Sequence, residues 1–132
     1  MYSLGISFGV GKEFDKNIKL SNRCTLSFPS LADSKERLFQ INTVKQIIKI
    51  LIEEWNPDKV VLNSRDLSNI LNVFNDIGWV TYRKTIKKML KINNKLIHEP
   101  ILNGHLFYLK TEDGKAYDYS LINELLVLKD VI

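Results

Sequence analysis

Apolar and polar residues alternate through YSLGISFGV (residues 2–10) and again through RCTLSF (23–28), the two-residue period of strands lying on a sheet. The polar stretch KEFDKNIKLSN between them predicts a loop or irregular hairpin, so two paired strands open the fold. Pro29 ends the ladder, and Asp33 with Glu36 stands at capping-box spacing ahead of a short helical turn carrying Leu38. The period then changes. Val44, Ile47, Ile48, Leu51 and Trp55 recur at helical spacing behind a second capping box, Thr43 with Gln46, until Asn56 and Pro57 stop the run.

VVLN (60–63) is short and β-branched, and predicts a buried strand leading into a helix capped by Ser64. Leu67, Ile70, Leu71 and Phe74 form one apolar face of that helix, and Gly78 stands where it ends. GWVTYR (78–83) predicts the next strand. In KLIHEPILNGHLFYLKT, two strand-like runs flank Asn103-Gly104, a strong hairpin signal. After the turn EDG a helix is predicted from about Ser120, with Leu121, Leu125 and Leu128 on one side. The order ββαβαβ(α)ββα predicts an α+β fold, a mainly antiparallel sheet with amphipathic helices packed against it.

At 132 residues and 45% hydrophobic content, the chain suits one domain spanning 1–132 with a single core. A charged fraction of 26% is that of a folded protein. The net charge of +4 and pI near 9.1 fit nucleic acid or an acidic protein partner, without choosing between them. The start lacks the basic-then-apolar pattern of a secretory signal, and IIKILI is broken by Lys49 and closed by Glu53 and Glu54. These features predict a cytoplasmic chain with no membrane partner. Cys24 is the only cysteine, which excludes an intramolecular disulfide or a cysteine-based zinc site and predicts an inert strand thiol.

Motifs for catalysis are wanting. GISFGVGK resembles a phosphate-binding loop, but five residues separate Gly5 from Gly11 where four are required, and Glu13 replaces the hydroxyl that would hold magnesium. With Asn103-Gly104 as the turn, His98 and His105 share a face but stand four positions apart, about 13 Å at 3.3 Å per residue, too far for one metal ion. Glu99 points to the other face. No glycine-flanked serine elbow occurs. The expectation is a binding protein with no metal, no cofactor and no catalytic residue.

TIKKMLKINNKL (85–96) carries the chemistry that remains. Ile86, Met89 and Leu90 at i, i+3, i+4 predict a short helix turning these three inward and leaving Lys87, Lys88 and Lys91 in solvent. A nucleic-acid surface would instead combine Arg83, Lys84, Lys87, Lys88, Lys91 and Lys95 for phosphate contact with Trp79 or Tyr82 for stacking. Strand alternation puts Trp79 with Arg83 on one face and Tyr82 on the other, so no continuous aromatic platform emerges.

From Trp55, Pro57 and Asp58 through the Gly78–Tyr82 strand GWVTY to the Gly104 hairpin and the closing amphipathic helix, the chain resembles the immunity protein 52 family of bacterial polymorphic toxin systems. The resemblance implies a non-enzymatic α+β protein that binds and neutralises a cognate toxin domain. It further implies that this partner is a restriction-endonuclease-like nuclease. Nuclease surfaces that hold DNA are usually basic, as this chain is. Either acidic positions such as Glu53, Glu54, Asp58, Glu112 and Asp113 make the contact, or the toxin is of another kind. Trp55 and Trp79 are explained by packing. The candidate partner-binding residues are therefore Arg83, Lys87, Lys88 and Lys91 in the basic segment, with Glu112 and Asp113 in the turn before the last helix.

Overall fold

The structure, a computed structural model, describes residues 5–9, 22–28, 40–71, 76–91 and 93–132. Six strands, β1 (Gly5–Gly9), β2 (Arg23–Phe28), β3 (Lys59–Ser64), β4 (Val80–Arg83), β5 (Leu96–Ile101) and β6 (Gly104–Leu109), form one sheet in the order β1-β2-β3-β4-β6-β5. Every pairing is antiparallel except β2 with β3, which run parallel because helix α1 (Ile41–Trp55) lies in the crossover between them. The second helix, α2 (Arg65–Leu71), joins β3 to β4. The fold is α+β. The Asp33–Glu36 capping box, the polar loop of residues 12–21, and Gly11, Lys12 and Glu13 of the phosphate-loop comparison lie outside the described residues.

Register explains the core. Cys24, Leu26, Val60, Leu62, Val80, Tyr82, Leu106 and Tyr108 fall opposite one another across four strands, so alternation sends them to one face. Helix α1 covers that face with Val44, Ile48, Leu51 and Ile52, all in the buried cluster. Each such side chain contributes roughly 1.5–3 kcal/mol relative to exposure. Lys45 joins helix to sheet, its Nζ 2.8 Å from both Tyr108 OH and Glu99 Oε1. On the other face lie Thr25, Val61, Thr81 and Phe107, also buried.

Helix α1 begins at Ile41 after Gln40, without a side-chain cap, so the Thr43–Gln46 box does not form. A tertiary partner takes its place. Ile41 N donates to Gly114 O at 2.8 Å, and Gln40 pairs with Lys115 in an isolated bridge, satisfying a first-turn donor from outside the helix. The end is as the sequence predicts: Asn56 adopts left-handed geometry, and its N–H returns to Ile52 O. Trp55, placed by periodicity on the apolar side, is instead 52% exposed. Ser64 does cap α2, accepting from Leu67 N at 3.4 Å.

Two further elements depart from the pattern. Residues 84–91 are not helical, and Met89 points outward at 66% exposure while Ile86 and Leu90 are half-buried. The cause is competition for donors: Lys87 N and Lys88 N bond to Val131 O at 2.7 and 3.4 Å instead of to carbonyls of their own turn. The closing element is a 3₁₀ helix, Tyr119–Asp130, with Asp118 Oδ1 capping Ser120 N at 2.9 Å. Its buried residues Ile122, Leu125 and Leu128 recur every three positions, the period of a 3.0-residue turn, and Leu121 is only half-buried.

Candidate partner-binding surface

Strand β4 ends at Arg83, whose register neighbours are Lys59 on β3 and His105 on β6. Three cationic or ionisable side chains thus share a face, and the loop after α2 supplies the counter-charge. Asp76 Oδ1 lies 2.7 Å from Lys59 Nζ and 3.5 Å from Arg83 Nη2, and its backbone oxygen accepts from Nη2 at 3.0 Å. Partial burial alone would raise the Asp76 carboxyl. Lys59, bonded and charged beside it, and then Arg83 outweigh that and hold it below the ordinary aspartate range. The Arg83 side chain is 18% exposed, and its buried Nε has no hydrogen-bond partner among the described residues.

Beyond Arg83 the chain turns away, fixed by Lys84: its N–H bonds to Asp58 O and its Nζ to Asn56 Oδ1, both at 2.9 Å. It then runs beside the end of the 3₁₀ helix, held by the bonds to Val131. A cavity of about 290 Å³ is lined by Asp76, Ile77, Arg83, Lys87, Lys129 and Ile132. A second of about 270 Å³ has Lys88, Met89, Lys91, Val127 and Asp130 among its lining residues. Val127 is 40% exposed.

The candidate residues thus divide. Arg83 and Lys87 share the first cavity, and Lys88 and Lys91 share the second. Glu112 and Asp113 line neither. They occupy the turn against the start of α1, where Asp113 Oδ1 accepts from Lys115 N at 3.2 Å. Comparison with protein-family models, curated proteins and solved structures finds no match for this chain. Among the described residues, Lys87, Lys88, Lys91 and Lys129 have no carboxylate within ion-pair distance, whereas Lys95 reaches Glu124 at 3.7 Å.

The rings a nucleic acid would need are unavailable, since Trp79 and Tyr82 are fully buried. Trp79 Nε1 donates to Ser64 Oγ at 3.0 Å, and Tyr117 and Tyr119 pack edge-on against the indole. Among the described residues no group of three His, Cys, Asp or Glu could hold a metal, and no helix is long and apolar enough to cross a membrane. Cys24 is buried in β2, where burial pushes its thiol upward.

Asp76, Val127 and Lys129 were not legible as part of this surface. Sequence periodicity at 3.6 residues scatters the last two. Read at three, Leu126 and Lys129 form one ridge and Glu124, Val127 and Asp130 another, flanking the buried ridge of Ile122, Leu125 and Leu128.

Proposed function

We propose that this protein is an immunity protein that binds a cognate bacterial toxin domain and neutralises it without catalysis. The observation that supports it is the pair of exposed apolar side chains, Met89 and Val127, lining one cavity with Lys88 and Lys91, which have no ion-pair partner among the described residues. An adaptable apolar centre with a charged rim has the anatomy of a protein interface, and methionine suits such a centre. The surplus of lysines selects an acidic patch on the partner and speeds encounter with it. The resemblance to immunity protein 52 supplies the class of partner, and the α+β fold agrees with it.

A nucleic-acid partner is the second reading, favoured by Lys87, Lys88 and Lys91, which have no ion-pair partner among the described residues. It would rest on phosphate contacts without stacking by Trp79 or Tyr82, and it predicts affinity falling steeply with salt. The deciding test is bacterial growth during expression of the toxin domain encoded beside this protein, with and without it, together with co-purification of the pair. Rescue with a stable complex is expected. Neither rescue nor complex, with salt-dependent DNA or RNA binding, would replace this reading by the second.

A further inference from the structure

We infer that the Arg83 cavity is an oxyanion-binding site, occupied by a carboxylate side chain of the partner protein. The charges lining the cavity are unequal. Among the described residues, the cations Arg83, Lys87 and Lys129 line the cavity, and Asp76 is the one carboxylate side chain lining it. That carboxylate is already engaged, at 2.7 Å by Lys59 from β3 and at 3.5 Å by Arg83. Among the described residues, Lys87 and Lys129 have no carboxylate within ion-pair distance.

Arg83 is also pre-positioned. Its side chain is largely buried at the end of β4, with Nη2 fixed on Asp76 and, among the described residues, no hydrogen-bond partner for the buried Nε. A guanidinium held in place loses little further freedom on meeting an oxyanion, and Arg–carboxylate pairing is among the stronger charge-assisted contacts. The lysines come from two chain segments, one on each side of the Lys87–Val131 backbone bond, so the site is fixed by tertiary structure. Ile77 and Ile132 supply apolar wall, which lowers local solvation and strengthens the attraction.

Naming a partner side chain as the source rests on the proposed function, but the site itself is a property of this chain alone. The experiment accordingly uses the isolated protein. Sodium acetate is titrated at constant ionic strength while the Arg83 Nε–H and the backbone amides of Lys87 and Lys129 are followed by NMR, with sodium chloride as control and inorganic phosphate in a parallel titration.

Saturable shifts with acetate and not with chloride are expected. Lys129→Gln, an exposed change compatible with folding, should weaken the affinity by about threefold, and Lys87→Gln by a similar factor. Arg83→Gln should abolish saturation if the variant folds; the lysine variants keep the test open if it does not. No saturation, or an equal response to chloride, would overturn the site. Phosphate binding about tenfold tighter than acetate would overturn the carboxylate assignment in favour of free phosphate. Failure of toxin rescue with acetate binding intact would remove the proposed function and leave the oxyanion site standing.

Discussion

His98 Nε2 lies 2.9 Å from His105 Nδ1, across the β5–β6 hairpin on the face opposite Glu99. One ring donates and the other accepts, and His98 also stacks on Phe107 with centroids 4.5 Å apart. Partial burial, and then the neighbouring His105 ring, hold His98 below the ordinary histidine pKa. The folded protein therefore binds fewer protons than the unfolded chain around this value. Stability is full above the unfolded pKa of about 6.5 and is lost as pH falls through it towards the lower folded value. Asp76 is held low and titrates beneath this window. Urea midpoints at about pH 7.5 and about pH 5.5 should differ, and His98→Phe, which retains the stack, should flatten the difference. An unchanged slope would assign it elsewhere.

The same hairpin turns on Leu102 and Asn103, because Ile101 pairs with Gly104. Leu102 sits at φ 49°, an uncommon geometry for a branched side chain, and it is exposed, so burial does not repay the strain. Leu102→Asn should therefore raise stability by about 0.5–1 kcal/mol, read as a higher urea midpoint with an unchanged m-value. A lower midpoint would show that the leucine is held there by a contact.

This turn marks where sequence reasoning stops. Asn103-Gly104 has the composition of a two-residue turn, yet Gly104 is required for another reason: a Cβ there would lie 2.5 Å from Tyr82 Cε2 and 2.6 Å from its hydroxyl. The glycine lets β6 approach the buried tyrosine, Tyr82 OH donates to Asn103 Oδ1 at 3.1 Å, and the turn moves back one residue. Moving the turn brings His98 and His105 from four positions apart to diagonal neighbours. The strands, α1 and α2 were legible because their patterns record local burial. The parallel β2–β3 pairing, the non-helical lysine segment and the 3₁₀ helix were not, since each depends on partners remote in sequence.

Gly78 answers to close approach as well. A Cβ at this position would lie 2.2 Å from Leu62 O and 2.5 Å from Val61 Cγ1, with backbone on one side and a packed β3 side chain on the other. Gly78→Ala should cost about 1–3 kcal/mol through overpacking, measured as a lowered thermal midpoint. A neutral outcome would mean that the loop over Val61 yields freely.

Ser64 ends β3 and holds two donors, Leu67 N at the start of α2 and the buried Trp79 Nε1. Removing the hydroxyl takes away the acceptor of an indole N–H that is fully buried. Ser64→Ala should destabilise by about 1–2 kcal/mol, and pairing it with Trp79→Phe should cost less than the sum of the two changes. Strict additivity in a double-mutant cycle would show that the serine acts through the helix cap alone.

Met89 distinguishes an interface from a solvated face. Its side chain is exposed, it borders the same cavity as Val127, Lys88 and Lys91, and no core contact depends on it, so changing it leaves the fold intact. Met89→Asp puts a charge in the proposed apolar centre, where it would be desolvated on binding and would repel the acidic patch that the lysines select. The expected result is an unchanged thermal midpoint with toxin affinity reduced by about tenfold or more and correspondingly weaker protection. Lys88→Gln and Lys91→Gln should act differently, slowing association and reducing its salt dependence while leaving dissociation nearly unaltered. If Met89→Asp binds and protects as the parent does, the partner engages another face, and the exposed Trp55 at the end of α1 becomes the next position to change.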